Sequence, residues 1–125
     1  MSLAEYLEGS GSVELSQRVA EDGCFHSPVA DYGGRDDIIH MFRAIAGVLD
    51  GVAITRVLTD ELGTVSFLTG NVEGNELTGV LDERFDPEGR IVEATLLLRP
   101  YGTLKIAIGR MSEHLAEHPL PSKLV

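Results

Sequence analysis

The feature that most constrains this chain is residues 77–100, LTGVLDERFDPEGRIVEATLLLRP, where two runs rich in Val, Ile, Leu, Thr and Phe flank Asp86-Pro87-Glu88-Gly89. Branched and aromatic side chains suit a pleated, half-buried surface. Pro presets φ for the second position of a turn, and Gly supplies the positive φ that closes it. The segment is therefore read as a β-hairpin with arms of about ten residues, each spanning roughly 30 Å. Arms that long in a small domain demand a strongly twisted sheet, and the remaining residues must cover one of its faces.

Those residues divide by their punctuation. Ser2-Leu3-Ala4-Glu5 has the spacing of a capping box and predicts a short helix to Glu8, stopped by Gly9-Ser10-Gly11-Ser12. Ser12 then fits the N-cap of a second helix over 13–22, with Leu15, Val19 and Ala20 inward and Gly23 as its stop. Residues 24–29, CFHSPV, read as a short strand, at an edge or a bulge because Pro28 cannot donate to a ladder. Tyr32-Gly33-Gly34 turns the chain into a helix over 36–49. There Ile38, Met41, Phe42, Ile45 and Leu49 recur at helical spacing, Asp36 and Asp37 suit the first turn, and Gly51 fits the C-cap. Runs over 52–59 and 64–72, with turns at 61–63 and 73–75, make an antiparallel meander with the two hairpin arms. Leu104, Ala107, Ile108 and Met111 predict a last helix that Gly109 weakens, and residues 1–5 and 114–125 are expected to be loose ends of a single domain.

The totals restrict partners. A chain of 125 residues fits one core that needs no staple. With 10 basic against 20 acidic residues, the net charge of −10 repels polyanions, so neither nucleic acid nor an anionic membrane is expected as a partner. Cys24 is the single cysteine and is expected to be a buried free thiol, which suits a reducing cytoplasm. The N-terminus lacks a signal-peptide pattern, and no apolar run approaches the ~18 residues of a membrane span. No phosphate-cradling glycine loop or nucleophile elbow is present, and no cofactor is expected.

Helices, a short strand, a long helix and then a curved meander describe an α+β cone, with helices on the concave face of a bent sheet. Phe25-His26-Ser27-Pro28-Val29, Tyr32-x-Gly34-Arg35-Asp36, Asp86-x-x-Gly89-Arg90-Ile91 and Leu98-Arg99-Pro100 resemble the nuclear transport factor 2-like superfamily, in its SnoaL-like and ketosteroid-isomerase-like branch. The resemblance runs from about Tyr6 to Met111. It implies a cystatin-like roll: a cone-shaped, strongly curved antiparallel sheet with N-terminal helices on its concave face. It says little about chemistry, because one cone hosts isomerases, cyclases, hydrolases and non-catalytic binders.

Against the resemblance, this chain departs twice. Ser27 stands where ketosteroid isomerases carry the general-base aspartate, and Leu81 stands where the family often places an acid. Ser27 is read either as a ligand contact or as a hydroxyl bonded to nearby backbone, and His26 as a surface or interface residue pointing the other way. If Leu81, Glu83 and Phe85 face the cone, Asp82 and Arg84 lie outside. An inward Glu83 among apolar neighbours would have a raised pKa, the setting of a general acid or of a buried hydrogen-bond donor. Glu83 and Asp82 are accordingly the catalytic candidates. The structural alternative for Glu83 is pairing with Arg84, Arg99 or a neighbouring subunit.

Phe25, Ser27, Tyr32, Met41, Phe42, Leu81, Ala94, Leu96 and Leu98 are the candidate ligand-binding set, an apolar space with few polar groups; the alternative for such residues is core packing. His114 and His118 share a helical face, but Leu115 after the first His excludes the zinc-protease motif, and no metal is expected. The chain is thus expected to bind a small apolar molecule, as an enzyme on a ring-containing or polyketide-like compound if it is one. The competing reading is a non-catalytic binding or dimerisation module whose cone is filled by side chains. A cavity lined by Phe25, Leu96 and Leu98 distinguishes the two. Val65, Phe67, Thr95 and Leu97 would form an outward apolar patch suited to a homodimer.

Overall fold

The computed structural model describes residues 2–9 and 14–124. A helix α1 (Leu3–Glu8) is followed by a 3-10 turn (Leu15–Gln17), strands β1 (Val19–His26) and β2 (Asp31–Gly33), and helix α2 (Arg35–Val48). Then come β3 (Asp50–Thr59), β4 (Gly63–Val72), β5 (Asn75–Phe85), β6 (Ile91–Arg99), helix α3 (Tyr101–Glu117) and a 3-10 turn (Pro121–Lys123). Six strands form one open sheet in the order β2-β1-β6-β5-β4-β3. The expected α+β cone is therefore present, with one refinement: β1 lies parallel to β6, so the sheet is mixed.

The hairpin anchors it. Asp86 Oδ1 accepts the amides of Glu88 (3.0 Å) and Arg90 (2.8 Å), and the Asp86 amide donates to Arg90 O (2.8 Å), so one aspartate fastens the whole turn. In register, Leu81 faces Leu96 and Glu83 faces Ala94, all buried on the inner face, while Asp82 and Arg84 look outward as alternation requires. Gly79 permits the close approach that this packing needs. A Cβ there would lie 2.9 Å from the backbone oxygen of Leu97 and 2.7 Å from Leu98 Cδ2, so glycine lets β6 and Leu98 come this close to the strand.

Several expectations need correction. The helix expected over 13–22 is absent from its described part: only Leu15–Gln17 is helical, and Val19 onward is strand. Residues 10–13, including the expected Ser12 cap, lie outside the described residues. Leu15 and Val19 are buried as the spacing suggested, but Gly23 is a strand glycine, not a helix stop. It sits where the β1–β6 register shifts, and a Cβ would press to 3.3 Å against Ile38 Cδ1 and Ile91 O, so its bareness lets α2 approach the strand.

The strand expected over 24–29 ends at His26, because Pro28 belongs to the turn into β2. Gly51 caps nothing: α2 ends at Val48 with Leu49 as C-cap, and Gly51 (φ 59°) lies in β3 beside a register shift. Neither terminus is loose where it is described. Ser2 makes both bonds of its capping box and Leu3 and Ala4 are buried, while α3 continues to Glu117 with Gly109 harmlessly exposed. Cys24, expected inside, is exposed on the outer face because the inward position of β1 goes to Phe25.

The core lies between the sheet and α1 and α2. Phe25 and Phe42, both fully buried, meet at 4.6 Å between ring centroids. Burial of such side chains contributes about 1.5–3 kcal/mol each, which is what holds α2 on the concave face. The α3 helix crosses the remaining opening, burying Ala107 and Thr103, whose hydroxyl donates to Glu76 O at 2.9 Å. Its far end is tied back to α2: the Asp37 carboxylate accepts the Ser122 amide (3.0 Å) and hydroxyl (2.6 Å), and His40 Nε2 donates to His118 O (2.7 Å). No helix among the described residues is long and apolar enough to cross a membrane.

Candidate functional site

The covered mouth of the cone contains an apolar cavity of about 120 Å³. Met41, Ile45, Val48 and Leu49 reach it from α2, Leu96 and Leu98 from β6, and Leu104, Ala107, Ile108, Met111 and Leu115 from α3. The helical spacing of each set turns one stripe of the helix to the same place. Polar groups enter only at Ser27, Tyr32 and Ser112.

Ser27 is spent on its own turn. Its hydroxyl donates to Ala30 O (2.8 Å) and accepts the amides of Ala30 (3.0 Å) and Val29 (3.2 Å), which closes the β1–β2 connection around Pro28. No base is hydrogen-bonded to it, so nothing among the described residues activates it as a nucleophile. Tyr32 is different. Its ring lies over Phe25 at 6.0 Å and no described residue hydrogen-bonds its hydroxyl, which leaves a phenolic donor at the cavity wall.

The candidate residues thus separate. Ser27, Tyr32, Met41, Leu96 and Leu98 line the cavity; Phe25, Phe42, Leu81 and Ala94 lie in the core beneath it. Of the three residues that were to define the cavity, Leu96 and Leu98 do and Phe25 does not. The α3 wall is what sequence reasoning missed. The signal was there, since Leu104, Ile108, Met111 and Leu115 continue a three-four spacing, but Leu115 fell in the supposed tail.

Glu83 and Asp82 lie elsewhere. Asp82 is half-buried on the outer face of β5. Glu83 is wholly buried on the inner face, and its carboxylate accepts the amides of Leu3 (2.8 Å) and Ala4 (3.3 Å) at the start of α1. It pairs with none of the arginines. Burial pushes its pKa up to about 7, and the nearby Glu5 charge adds to this; the two amides and the N-terminal ammonium pull the other way. On the outer face, His26 bridges Asp31 (Nδ1, 2.7 Å) and Glu93 (Nε2, 2.9 Å), and those two hydrogen bonds hold its pKa above the usual histidine range.

His114 and His118 stand on α3 and at its C-cap with rings 4.7 Å apart, and His40 lies 6.3 Å from His114. Among the described residues, no group of three or more His, Cys, Asp or Glu is arranged to hold a metal ion.

No protein-family model matches this sequence, and no curated protein does. Solved structures do match. A steroid delta-isomerase from Pseudomonas aeruginosa is 28% identical, with a TM-score of 0.82 over 93% of this chain and 85% of that one. An uncharacterised bacterial protein with a cystatin-like fold from Silicibacter pomeroyi is 20% identical, with a TM-score of 0.82 over 92% and 80% of the two chains. A nuclear transport factor 2-like protein of unknown function from Cytophaga hutchinsonii is 11% identical, with a TM-score of 0.66 over 82% and 88%.

Proposed function

We propose, from the premise that this chain has the nuclear transport factor 2-like, ketosteroid-isomerase-like fold, that it binds one small, uncharged, mainly apolar molecule in the covered mouth of the cone. The observation that carries this reading is the lining. Aliphatic side chains from α2, β6 and α3 surround a space that is not filled by any of them, and the Tyr32 and Ser112 hydroxyls, which no described residue hydrogen-bonds, supply the orienting donors. Apolar cavities in proteins bind apolar guests, and one of about 150 Å³ takes benzene. At about 120 Å³ this one matches a single ring or a short branched chain.

Catalysis of the ketosteroid type is not part of this proposal. It needs a carboxylate that moves a proton between carbons. The lining contains no carboxylate, and the Ser27 hydroxyl is committed to backbone. A lyase or hydrolase acting on a ring-containing compound would have to draw its polar group from Tyr32 or Ser112.

The test is a titration with toluene, cyclohexanone and phenol, followed through the methyl signals of Met41, Leu96, Leu98 and Met111. Saturable shifts at those methyls, lost in Ala107→Phe, which fills the space from α3, support the reading. Absence of binding, or equal binding to the filled variant, refutes it and favours the competing reading of a cone filled by its own side chains.

We further propose that the chain forms a homodimer through the outer face of the sheet. Leu97 is 59% exposed there, and Phe67 and Val80 border the same shallow depression. Covering them with a second copy removes apolar surface from water without a further protein.

A further inference from the structure

The two halves of α3 are held differently. In the first half Thr103 and Ala107 are buried, and the Thr103 hydroxyl donates to Glu76 O at 2.9 Å. Beyond Ala107 no residue of the helix is buried, although Ile108, Met111 and Leu115 line the apolar cavity from there. Packing of an apolar face is what holds most helices in place, so the second half depends more on other contacts. Arg110 Nη1 lies 3.7 Å from Glu73 Oε2, but both side chains are half-exposed and such a pair contributes little. What remains is the strap beyond the helix. The Asp37 carboxylate takes the amide and hydroxyl of Ser122 at 3.0 and 2.6 Å, His40 Nε2 donates to His118 O at 2.7 Å, and Leu120 packs, partly buried, against the core.

Gly109 stands at the boundary between the halves. It is exposed, and a Cβ added there would meet nothing within 4 Å, so no packing asks for glycine. Glycine inside a helix is less favourable than alanine because it surrenders more backbone freedom, which makes this a weak point of α3. The cavity opens on the same side. Val29, 63% exposed in the β1–β2 connection, and the exposed Ser112 both line it, so it meets solvent between that connection and the second half of α3.

We propose that residues 110–117, with the strap behind them, form a hinged lid that yields at Gly109 and is latched by Asp37 and His40, and that its opening admits the ligand. The admission rests on the reading that the cavity binds a small apolar molecule; the hinge can be observed without one. Yielding at Gly109 breaks the helical hydrogen bonds that span it, those of the amides 110–113, and carries Met111 and Leu115 off the cavity. Asp37 and His40 do not line the cavity, so they are positioning residues that act on access rather than on affinity.

The experiment measures two rates in wild type, Ser122→Ala, Asp37→Asn and Gly109→Ala: amide hydrogen exchange without ligand, and toluene exchange from the line shape of the Met111 methyl. Either latch variant is expected to speed exchange of amides 110–113 about tenfold while leaving 105–108 unchanged, and Gly109→Ala, which touches neither latch, to slow it about threefold. Toluene kon and koff should change by the same factors while Kd stays within about twofold, since the closed form predominates in all four proteins. Unchanged amides 110–113 in both latch variants overturn the lid, whatever toluene does. Toluene rates that ignore the change in those amides also overturn it, because entry would then bypass α3. A wild type that binds no toluene while the amides respond as expected refutes the cavity reading and supports the hinge.

Discussion

The buried carboxylate of Glu83 accepts the Leu3 amide at 2.8 Å across a sequence separation of 80 residues, so a side chain from the middle of the sheet fastens the start of the first helix. Burial raises its pKa from the usual 4.5 to about 7. The favourable contribution of this group is therefore complete below pH 4.5 and is lost as pH rises through about 7, where the charge must be held without solvent. At about 1.4 kcal/mol per tenfold, the loss is roughly 3 kcal/mol. Urea midpoints at pH 5 and pH 8 should fall accordingly in wild type and change much less in Glu83→Gln. Equal slopes in the two proteins would mean that Glu83 ionises without penalty.

His26 should titrate above the usual histidine range, and its two supports should be separable. Asp31→Asn is expected to lower its pKa more than Glu93→Gln, because the Asp31 hydrogen bond is the larger cause. The same sign rule applies here: stability from this pair is complete below the histidine's ordinary pKa and is lost as pH rises through the raised one. Imidazole carbon-bound proton shifts followed from pH 5 to 9 read this directly, and an unmoved midpoint in both variants contradicts it.

Wild type is expected to show no efficient isomerisation of a β,γ-unsaturated ketosteroid. The lining of the cavity carries no carboxylate to serve as the base. Ser27→Asp keeps the acceptor for the Val29 and Ala30 amides and puts a carboxylate at the cavity, so a trace of activity appearing only there would place the reacting atoms beside residue 27. Brisk turnover by wild type would show that the pocket has been misassigned.

If two copies meet through the outer face, Leu97→Glu should convert a dimer to a monomer in light scattering at micromolar concentration while leaving the melting of the isolated chain nearly unchanged. An exposed site tolerates the charge; an interface core does not. A wild-type monomer at that concentration removes the proposal.

How far the sequence could be read depended on range. The hairpin, the meander and α2 are governed by local spacing and turn chemistry, and Asp86-Pro87-Glu88-Gly89 or Ile38, Met41, Phe42 and Ile45 state them within a few residues. β1 was misread because Leu15 and Val19 satisfy a helical stripe equally well, and only the approach of Ile38 to Gly23, set by tertiary packing, shows that the glycine belongs to a bent strand. The inward direction of Glu83 followed from alternation with Leu81 and Phe85. Its partner did not, since nothing near residue 83 announces an α1 amide 80 positions away. The cavity's outer wall was hidden for a similar reason: Leu115 and the Asp37–Ser122 contact carry no local mark of where α3 folds back.

The placement of α3 also divides the wall of the hollow by how it is fastened. Met41, Ile45, Leu96 and Leu98 stand on elements packed into the sheet and its core, whereas Leu104, Ile108, Met111 and Leu115 stand on one helix whose far end is tied back through Ser122 to Asp37. A change at Ser122 therefore reaches the hollow without lining it, by slackening one wall and leaving the other two in place.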